Sequence, residues 1–177
     1  MKTNVKKWFI VGTIFIILFG SLLHFVYEWS GNNPLVGIFG AVNESTWEHL
    51  KLLFWPALLF SIVEYIFLDK DYNNYITAKA VSFYLGIFLI ISLFYTYTGI
   101  IGENCLFMDI AIFIISVIIS QYIGYKIMTS DKDVSKQVNI ISLIAIVILI
   151  FAFVIFTFDP PKIPLFKDPI TGKYGIQ

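Results

Sequence analysis

The sequence predicts an all-α fold, a polytopic bundle of five membrane-spanning helices, and three observations lead to this prediction. Of the 177 residues, 58% are hydrophobic and only 14% are charged. Soluble domains carry about a quarter charged residues, so this chain lacks the polar side chains that would cover a soluble globule. It also contains five apolar runs that each approach or exceed the ~20 residues needed to cross ~30 Å of hydrocarbon. Because backbone groups in lipid must be satisfied within their own segment, each run is predicted to be a helix.

The first span follows a group of amino-terminal lysines and therefore imitates a signal peptide. Its apolar stretch of about 20 residues exceeds the ~7–15 residues of a signal-peptide core, and no clean cleavage site follows it. We interpret it as a retained anchor. In chain order, the predicted spans cover residues 8–29, 45–68, 80–102, 104–125 and 138–158.

The lysines are divided unequally between the two sides of the predicted bundle. Eight fall on the side of the amino terminus, and four fall on the other side. Cytoplasmic loops carry an excess of basic residues, so the amino terminus is predicted inside and the carboxyl terminus outside a bacterial plasma membrane. The eight are Lys2, Lys6, Lys7, Lys70, Lys79, Lys126, Lys132 and Lys136, and the four are Lys51, Lys162, Lys167 and Lys173.

Two segments are predicted not to span. Residues 33–42 are apolar but too short to cross, and they contain Pro34, so a re-entrant or interfacial piece at the outer face is expected. Residues 159–177 contain four prolines and two glycines, which favours extended and turned backbone over helix. The predicted organisation is thus a transmembrane domain at 1–158 and an extracytoplasmic tail at 159–177 that packs on the outer face.

Ionisable side chains near the outer ends of the spans are the candidate functional residues. Each costs roughly 2.5–3.5 kcal/mol to insert into a membrane, which makes it a functional candidate by default. One imidazole and four carboxylates are predicted at this level, a set adequate for a divalent cation or for a histidine base oriented by an acid. These primary candidates are His24, Glu28, Glu44, Glu48 and Asp109, and the secondary candidates are His49, Glu64 and Tyr97.

Structural roles compete with the functional ones at several of these positions. Ser45 and Glu48 match a capping box, in which Ser45 caps the second span and Glu48 reaches back to its amide. Glu64 could pair with Lys70 or Lys79 at the cytoplasmic end. His49 fits a shared site less well, because it lies about 100° around the helix from Glu48.

His24 and Glu28 are spaced i, i+4 and share one helix face, so they could also act as packing contacts between helices. Glu28 and Glu44 could be solvated residues at the headgroup level. Both interpretations stay open beside the functional one.

Composition and missing motifs exclude several classes of protein. A net charge of zero without any arginine argues against nucleic-acid binding. One cysteine permits neither an intrachain disulfide nor a thiolate-rich metal site, and two histidines exclude a three-histidine zinc site. The sequence also lacks HExxH, GxSxG, a Walker glycine loop and Cys-x-x-Cys.

Two stretches carry a resemblance to a known family. They are HFVYEWSGNNPLVGIFGAVNESTWEHLKLLFWP at 24–56 and the tail elements PPKIPLF, DPITG and YGI. With them, the whole chain resembles a family of small bacterial integral membrane proteins, common in Firmicutes related to clostridia, whose function is unknown. The resemblance implies a bacterial plasma-membrane protein and supplies no activity.

Two function classes follow from these observations. The first is an outer-leaflet site that binds a divalent metal ion or a small polar ligand, which in one version is a membrane-embedded hydrolase. The second is a non-enzymatic carrier of small solutes or ions, or an accessory membrane subunit. The expected partners are membrane lipid and either a second copy of the chain or another membrane protein. A closed outer cavity would favour the first class, and a polar path through the bundle the second.

Overall fold

The computed structural model describes residues 5–68 and 72–176, and it confirms the all-α prediction. Five of its helices are long and apolar enough to cross a membrane, as the sequence predicted. The helices are α1 (Val5–Trp29), α2 (Pro34–Gly37), α3 (Thr46–Phe67), α4 (Tyr75–Ile101), α5 (Leu106–Met128) and α6 (Lys136–Phe158). A 3-10 turn at Pro164–Phe166 follows in the tail.

The long helices run alternately up and down, which defines two ends of the bundle. At the amino-terminal end, Val5 packs with Leu68, Tyr75 and Met128, which lie where α3 ends, α4 begins and α5 ends. The opposite end, called here the histidine end because it holds His24 and His49, contains the end of α1 and the start of α3. Because the connections between the long helices are short, consecutive long helices run in opposite directions, and the chain reverses at the ends of the bundle.

Helix α3 lies at the centre of the bundle. Its Phe54 is fully buried, with ring centroids 4.8 Å from Phe153 of α6 and 5.6 Å from Phe83 of α4. Aromatic side chains of this size contribute large van der Waals contacts, and such packing is what would hold helices together in lipid, where no hydrophobic force drives their association. The helix continues through Pro56, which is also buried.

Helix α4 begins earlier than the sequence predicted, at Tyr75 instead of residue 80. The prediction stopped at Lys79 because a charge marks the edge of an apolar run. In the structure Lys79 forms an ion pair with the buried carboxylate of Glu64, so the helix continues through it. The pairing of Glu64 with Lys79 was one of the two predicted, and Lys70 lies outside the described residues.

The connection between α1 and α3 forms the short helix α2 and then a turn. Asn33 caps α2, and its side-chain oxygen accepts a hydrogen bond from the Leu35 amide at 2.9 Å. At four residues, α2 is far too short to cross a bilayer. The turn that follows brings the chain to Ser45, the N-cap of α3.

The tail folds back onto the histidine end. Phe166 is buried, with its ring centroid 4.7 Å from that of Trp47 at the start of α3. The Ile176 amide donates to the Thr157 carbonyl at 3.0 Å, and the Asn43 side chain donates to the Gly175 carbonyl, also at 3.0 Å. These bonds attach the tail both to α6 and to the turn before α3.

Candidate metal site at the histidine end

Three side chains converge where α1 ends and α3 begins. The Nε2 atoms of His24 and His49 are 3.2 Å apart, and Glu44 Oε2 lies 3.6 Å from the first and 3.4 Å from the second. Within the described ranges 5–68 and 72–176, this is the one group of three or more His, Cys, Asp or Glu side chains arranged to hold a metal ion. Below, these three residues are called the histidine trio.

Three different local structures position the trio. His24 lies five residues before the end of α1, and His49 lies in the first turn of α3. Glu44 lies in the turn just before the Ser45 N-cap. Asn43 fixes that turn, because its side-chain oxygen accepts a hydrogen bond from the Ser45 amide at 2.9 Å.

The hydrogen bond of His49 to the backbone sets its tautomer. Its Nδ1 lies 2.9 Å from the Ser45 carbonyl oxygen, which can only accept, so Nδ1 carries the proton. In the neutral ring, the lone pair is then on Nε2, the atom that faces His24 and Glu44. Metal-binding histidines commonly donate their second N–H to a carbonyl or carboxylate in this way, which fixes the ring for coordination.

The distances match a tetrahedral metal site. A circle through the three facing atoms has a radius of about 2.0 Å, so a point about 2.1 Å from each lies roughly 0.7 Å above their plane. Zinc binds nitrogen and oxygen ligands at about 2.0–2.2 Å, and neighbouring ligands of a regular tetrahedron are then about 3.3–3.6 Å apart. The trio therefore supplies three corners of a tetrahedron and leaves the fourth for another ligand.

The two imidazoles beside Glu44 hold the pKa of its carboxyl well below the ordinary value, with His24 contributing more than His49. Partial burial acts in the opposite direction. Glu44 is consequently a carboxylate at neutral pH, the form that ligates a metal.

Glu48, a primary candidate from the sequence, is turned away from the trio and bound to Lys51. Both side chains are buried, and Lys51 Nζ lies 2.6 Å from Glu48 Oε2. Half of the expected capping box is present, since the Ser45 hydroxyl accepts from the Glu48 amide. The other half is corrected: Glu48 accepts from the Val42 amide at 3.0 Å and not from the Ser45 amide.

The same ion pair fixes the turn that carries Glu44. Lys51 Nζ also donates to the carbonyl of Gly37 at 2.8 Å and to that of Gly40 at 3.4 Å. Together with the Glu48–Val42 bond, these contacts fasten the chain from the end of α2 to Val42. We call this network the lysine cage.

Asp109, another primary candidate from the sequence, does not belong to the trio. It accepts hydrogen bonds from Tyr97 of α4 and from Asn104 Nδ2, the latter at 3.1 Å. The Tyr97 hydroxyl also accepts from the Cys105 amide at 3.1 Å. Asp109 and the secondary candidate Tyr97 therefore fasten the connection between α4 and α5, and their polar atoms are already paired.

Of the remaining candidates, Glu28 lies at the site and Glu64 lies at the opposite end of the bundle. Glu64 is bound by Lys79 and by the Tyr75 hydroxyl at 3.0 Å. Glu28 lines a cleft of about 510 Å³ together with two members of the trio, His24 and Glu44. The other lining residues are Phe25, Tyr27, Asn32, Ala41, Val42, Asn43, Asp168, Ile170 and Thr171.

His49 is only a secondary candidate from the sequence, because it lies about 100° around the helix from Glu48. The structure does separate these two side chains, and Glu48 binds Lys51 while His49 faces Glu44. The acidic residue that His49 faces is Glu44, which lies before the first residue of α3. The helical period therefore does not predict the direction of the Glu44 side chain. The available signal was that both histidines of the chain lie near facing ends of consecutive antiparallel spans.

A comparison with protein families covers nearly the whole chain. The model of the family described as "Family of unknown function (DUF6512)" matches residues 1–176. This chain belongs to the DUF6512 family. The match agrees with the resemblance carried by residues 24–56 and the tail, and it assigns this DUF6512 protein no activity. Searches among curated proteins and among solved structures gave no significant match.

Proposed function

We propose that this DUF6512 protein is a multi-pass membrane protein that binds a divalent cation of the zinc class through His24, Glu44 and His49. The observation that carries the proposal is the similar spacing of their three facing atoms, at 3.2–3.6 Å. This spacing lets one ion lie about 2.1 Å from all three atoms, a distance that zinc–ligand bonds require.

The ligand set selects the class of metal. Two imidazole nitrogens and one carboxylate oxygen suit zinc and its transition-metal neighbours, whereas magnesium and calcium prefer oxygen ligands alone. Three protein ligands with one open position are typical of catalytic zinc sites, while structural sites use four. Since each imidazole is roughly a third exposed, an ion can enter from the cleft.

We place the histidine end on the outside of a bacterial plasma membrane. The excess of lysines on the side of the amino-terminal end supports this orientation. Lys51 and Lys79 are both held in ion pairs within helices, one on each side, so leaving both out of the count keeps the excess on the side of the amino-terminal end.

A carrier function receives less support from the packing. It required a polar path from Asp109 toward Glu64 and Gln121. Among the described residues, Gln121 donates to Ser82 at 2.9 Å and is buried, and each of the two acids is bound in its own local network. The aromatic core around α3 lies between the two ends of the bundle.

Metal analysis of the purified protein tests the proposal. Protein purified in detergent, incubated with Zn²⁺ and desalted should retain about one zinc per chain, whereas His24→Ala and His49→Ala should lower the retained zinc at least tenfold. Glu103→Gln removes an exposed carboxylate from the α4–α5 connection and serves as the matched control, with zinc retained as in the wild type. Equal zinc in the wild type and in both histidine variants would refute the site.

A further inference from the structure

We infer that the metal site hydrolyses the acyl bond, a carboxylic ester or amide, of an uncharged amphiphile held at the membrane boundary, and that Glu28 accepts the proton of the attacking water. The inference rests on the proposed metal site and adds its substrate class, its reaction and a further catalytic residue. Three features of the cleft support it: a free carboxylate, a lining without cations, and an apolar rim.

Glu28 is the free carboxylate. It follows His24 by four residues on α1, so the two share a helix face about 6 Å apart along the axis. The side chain is exposed, and its carboxylate has no hydrogen bond or ion pair with any residue that the structure describes. It lines the same cleft as His24 and Glu44 without belonging to the trio. That position suits a base acting on a metal-bound water better than it suits a fourth ligand.

The charges in the cleft select the substrate. Arginine and lysine are the side chains that most often bind phosphate groups, yet this chain has no arginine, and no lysine is among the described residues that line the cleft. Its acidic groups are Glu28, Glu44 and Asp168. Asp168 is buried and bound to the Ile170 amide and the Thr171 hydroxyl. An anionic head group would be repelled by these carboxylates, whereas an uncharged carbonyl group can approach the metal.

The rim of the cleft favours an amphiphile over a soluble substrate. Phe25 and Ile170 both line the cleft, and their side chains are 47% and 77% exposed. Trp29, at the end of α1, is 67% exposed, and tryptophan at a helix end is typical of the membrane–water interface. A molecule whose chain lies in the lipid could therefore place its polar end in the cleft.

The reaction balances with water as the only co-reactant. A divalent ion held by His24, Glu44 and His49 would lower the pKa of the attacking water, and Glu28 would accept one proton from that water. The resulting hydroxide forms a bond to the carbonyl carbon, and the bond from that carbon to the leaving oxygen or nitrogen breaks. Glu28 then returns the proton to the leaving group, so the products are a carboxylic acid and an alcohol or amine.

The test measures hydrolysis and bound metal on the same samples. Zinc-loaded protein in detergent micelles is assayed with p-nitrophenyl decanoate, p-nitrophenyl acetate and bis(p-nitrophenyl) phosphate. We expect the decanoyl ester to be hydrolysed with a kcat/KM at least tenfold above that for the acetyl ester, and the phosphate diester to remain intact. Glu28→Gln should retain its zinc and lose about 100-fold or more in kcat, in the range typical of a lost general base. Glu103→Gln should keep both zinc and activity.

The outcomes separate the two proposals. If the wild type binds no more zinc than His24→Ala, the metal site itself fails. If zinc is bound but the decanoyl ester is hydrolysed no faster than by His24→Ala, the acyl hydrolase inference fails alone. Faster hydrolysis of the phosphate diester or of the acetyl ester would overturn the assigned substrate class, and full activity in Glu28→Gln would overturn the assigned base.

Discussion

Single residues at the histidine end show how a bundle of apolar helices can hold charge in its interior. Lys51 is fully buried, yet its ammonium group makes bonds to one carboxylate and two carbonyls. A buried ion pair is tolerated when hydrogen bonds satisfy its remaining polar atoms, and removing one partner leaves an uncompensated charge. The lysine cage satisfies this condition and also determines where the turn before Glu44 lies.

We predict that Lys51→Met destabilises the protein and weakens metal binding although Lys51 touches no ligand. Loss of the ammonium leaves Glu48 buried without its partner, which typically costs about 3–5 kcal/mol. The turn before α3 also loses the hydrogen bonds from Lys51 to the carbonyls of Gly37 and Gly40, so the position of Glu44 should be less well defined. Thermal unfolding in detergent and a zinc titration measure the two effects.

Lys162→Met is the matched control, because Lys162 is an exposed lysine of the tail. It should change neither the unfolding temperature nor the zinc affinity. The double variant Lys51→Met with Glu48→Gln removes the unpaired charge and should regain part of the stability but not the zinc affinity. If Lys51→Met binds zinc as the wild type does, the lysine cage has no role in positioning Glu44.

At the scale of helices, the approach of α1 to α3 brings the two histidines together. Gly20 of α1 lies against the backbone of α3 at Leu52, where an added Cβ would overlap the Leu52 carbonyl oxygen and lie 2.7 Å from Phe113 Cζ of α5. Small residues at helix interfaces allow this close contact in membranes. His24, one turn further along α1, reaches His49 because the two helix axes are close at this point.

Gly20→Ala should therefore destabilise the bundle, since the Cβ meets backbone that can move only with its helix. Overpacking of this kind typically costs about 1–3 kcal/mol. Gly99→Ala in α4 is the control, because a Cβ there has no neighbour within 4 Å, and it should leave the unfolding temperature unchanged or slightly raised. Equal unfolding temperatures for the two variants in detergent would contradict the close contact between α1 and α3.

At the scale of the whole molecule, segments distant in sequence close over the histidine end. The Asn43–Gly175 bond joins the turn before α3 to a point 132 residues later, next to Glu44. Asp168 and Ile170 of the tail form part of the cleft lining. The cleft is thus lined by side chains of three segments, which are the end of α1, the α2–α3 turn and the tail.

The sole cysteine reports which side of the membrane the cleft faces. Cys105 is exposed and lies just before α5, at the histidine end. We predict that a membrane-impermeant maleimide labels it in intact bacterial cells that express the protein. A Cys105→Ser protein carrying Asp131→Cys, at the exposed α5–α6 connection, should be labelled only after permeabilisation. The reverse pattern would place the histidine end in the cytoplasm.

Much of the fold could be predicted from the sequence, because the length and hydropathy of one segment are enough to identify it as a long apolar helix. The five long helices, the Ser45 cap and the pairing of Glu64 with Lys79 all follow from spacing along the chain or from charge at one end of the bundle. The site could be predicted only in part. His24, Glu28 and Glu44 were expected at one level, and the structure places them at one cleft.

The sequence by itself determined the five long apolar helices and the end of the bundle at which the primary candidate side chains lie, because hydrophobicity and helical period are properties of neighbouring residues. Tertiary structure alone decided which of those groups face one another. Glu48 binds Lys51 and Asp109 binds Tyr97, while His49 turns toward His24 and Glu44. These pairings depend on the close approach of α1 to α3 and on the turn before α3, which the buried hydrogen bonds of Lys51 and Glu48 hold in place. Neither feature follows from spacing along the chain.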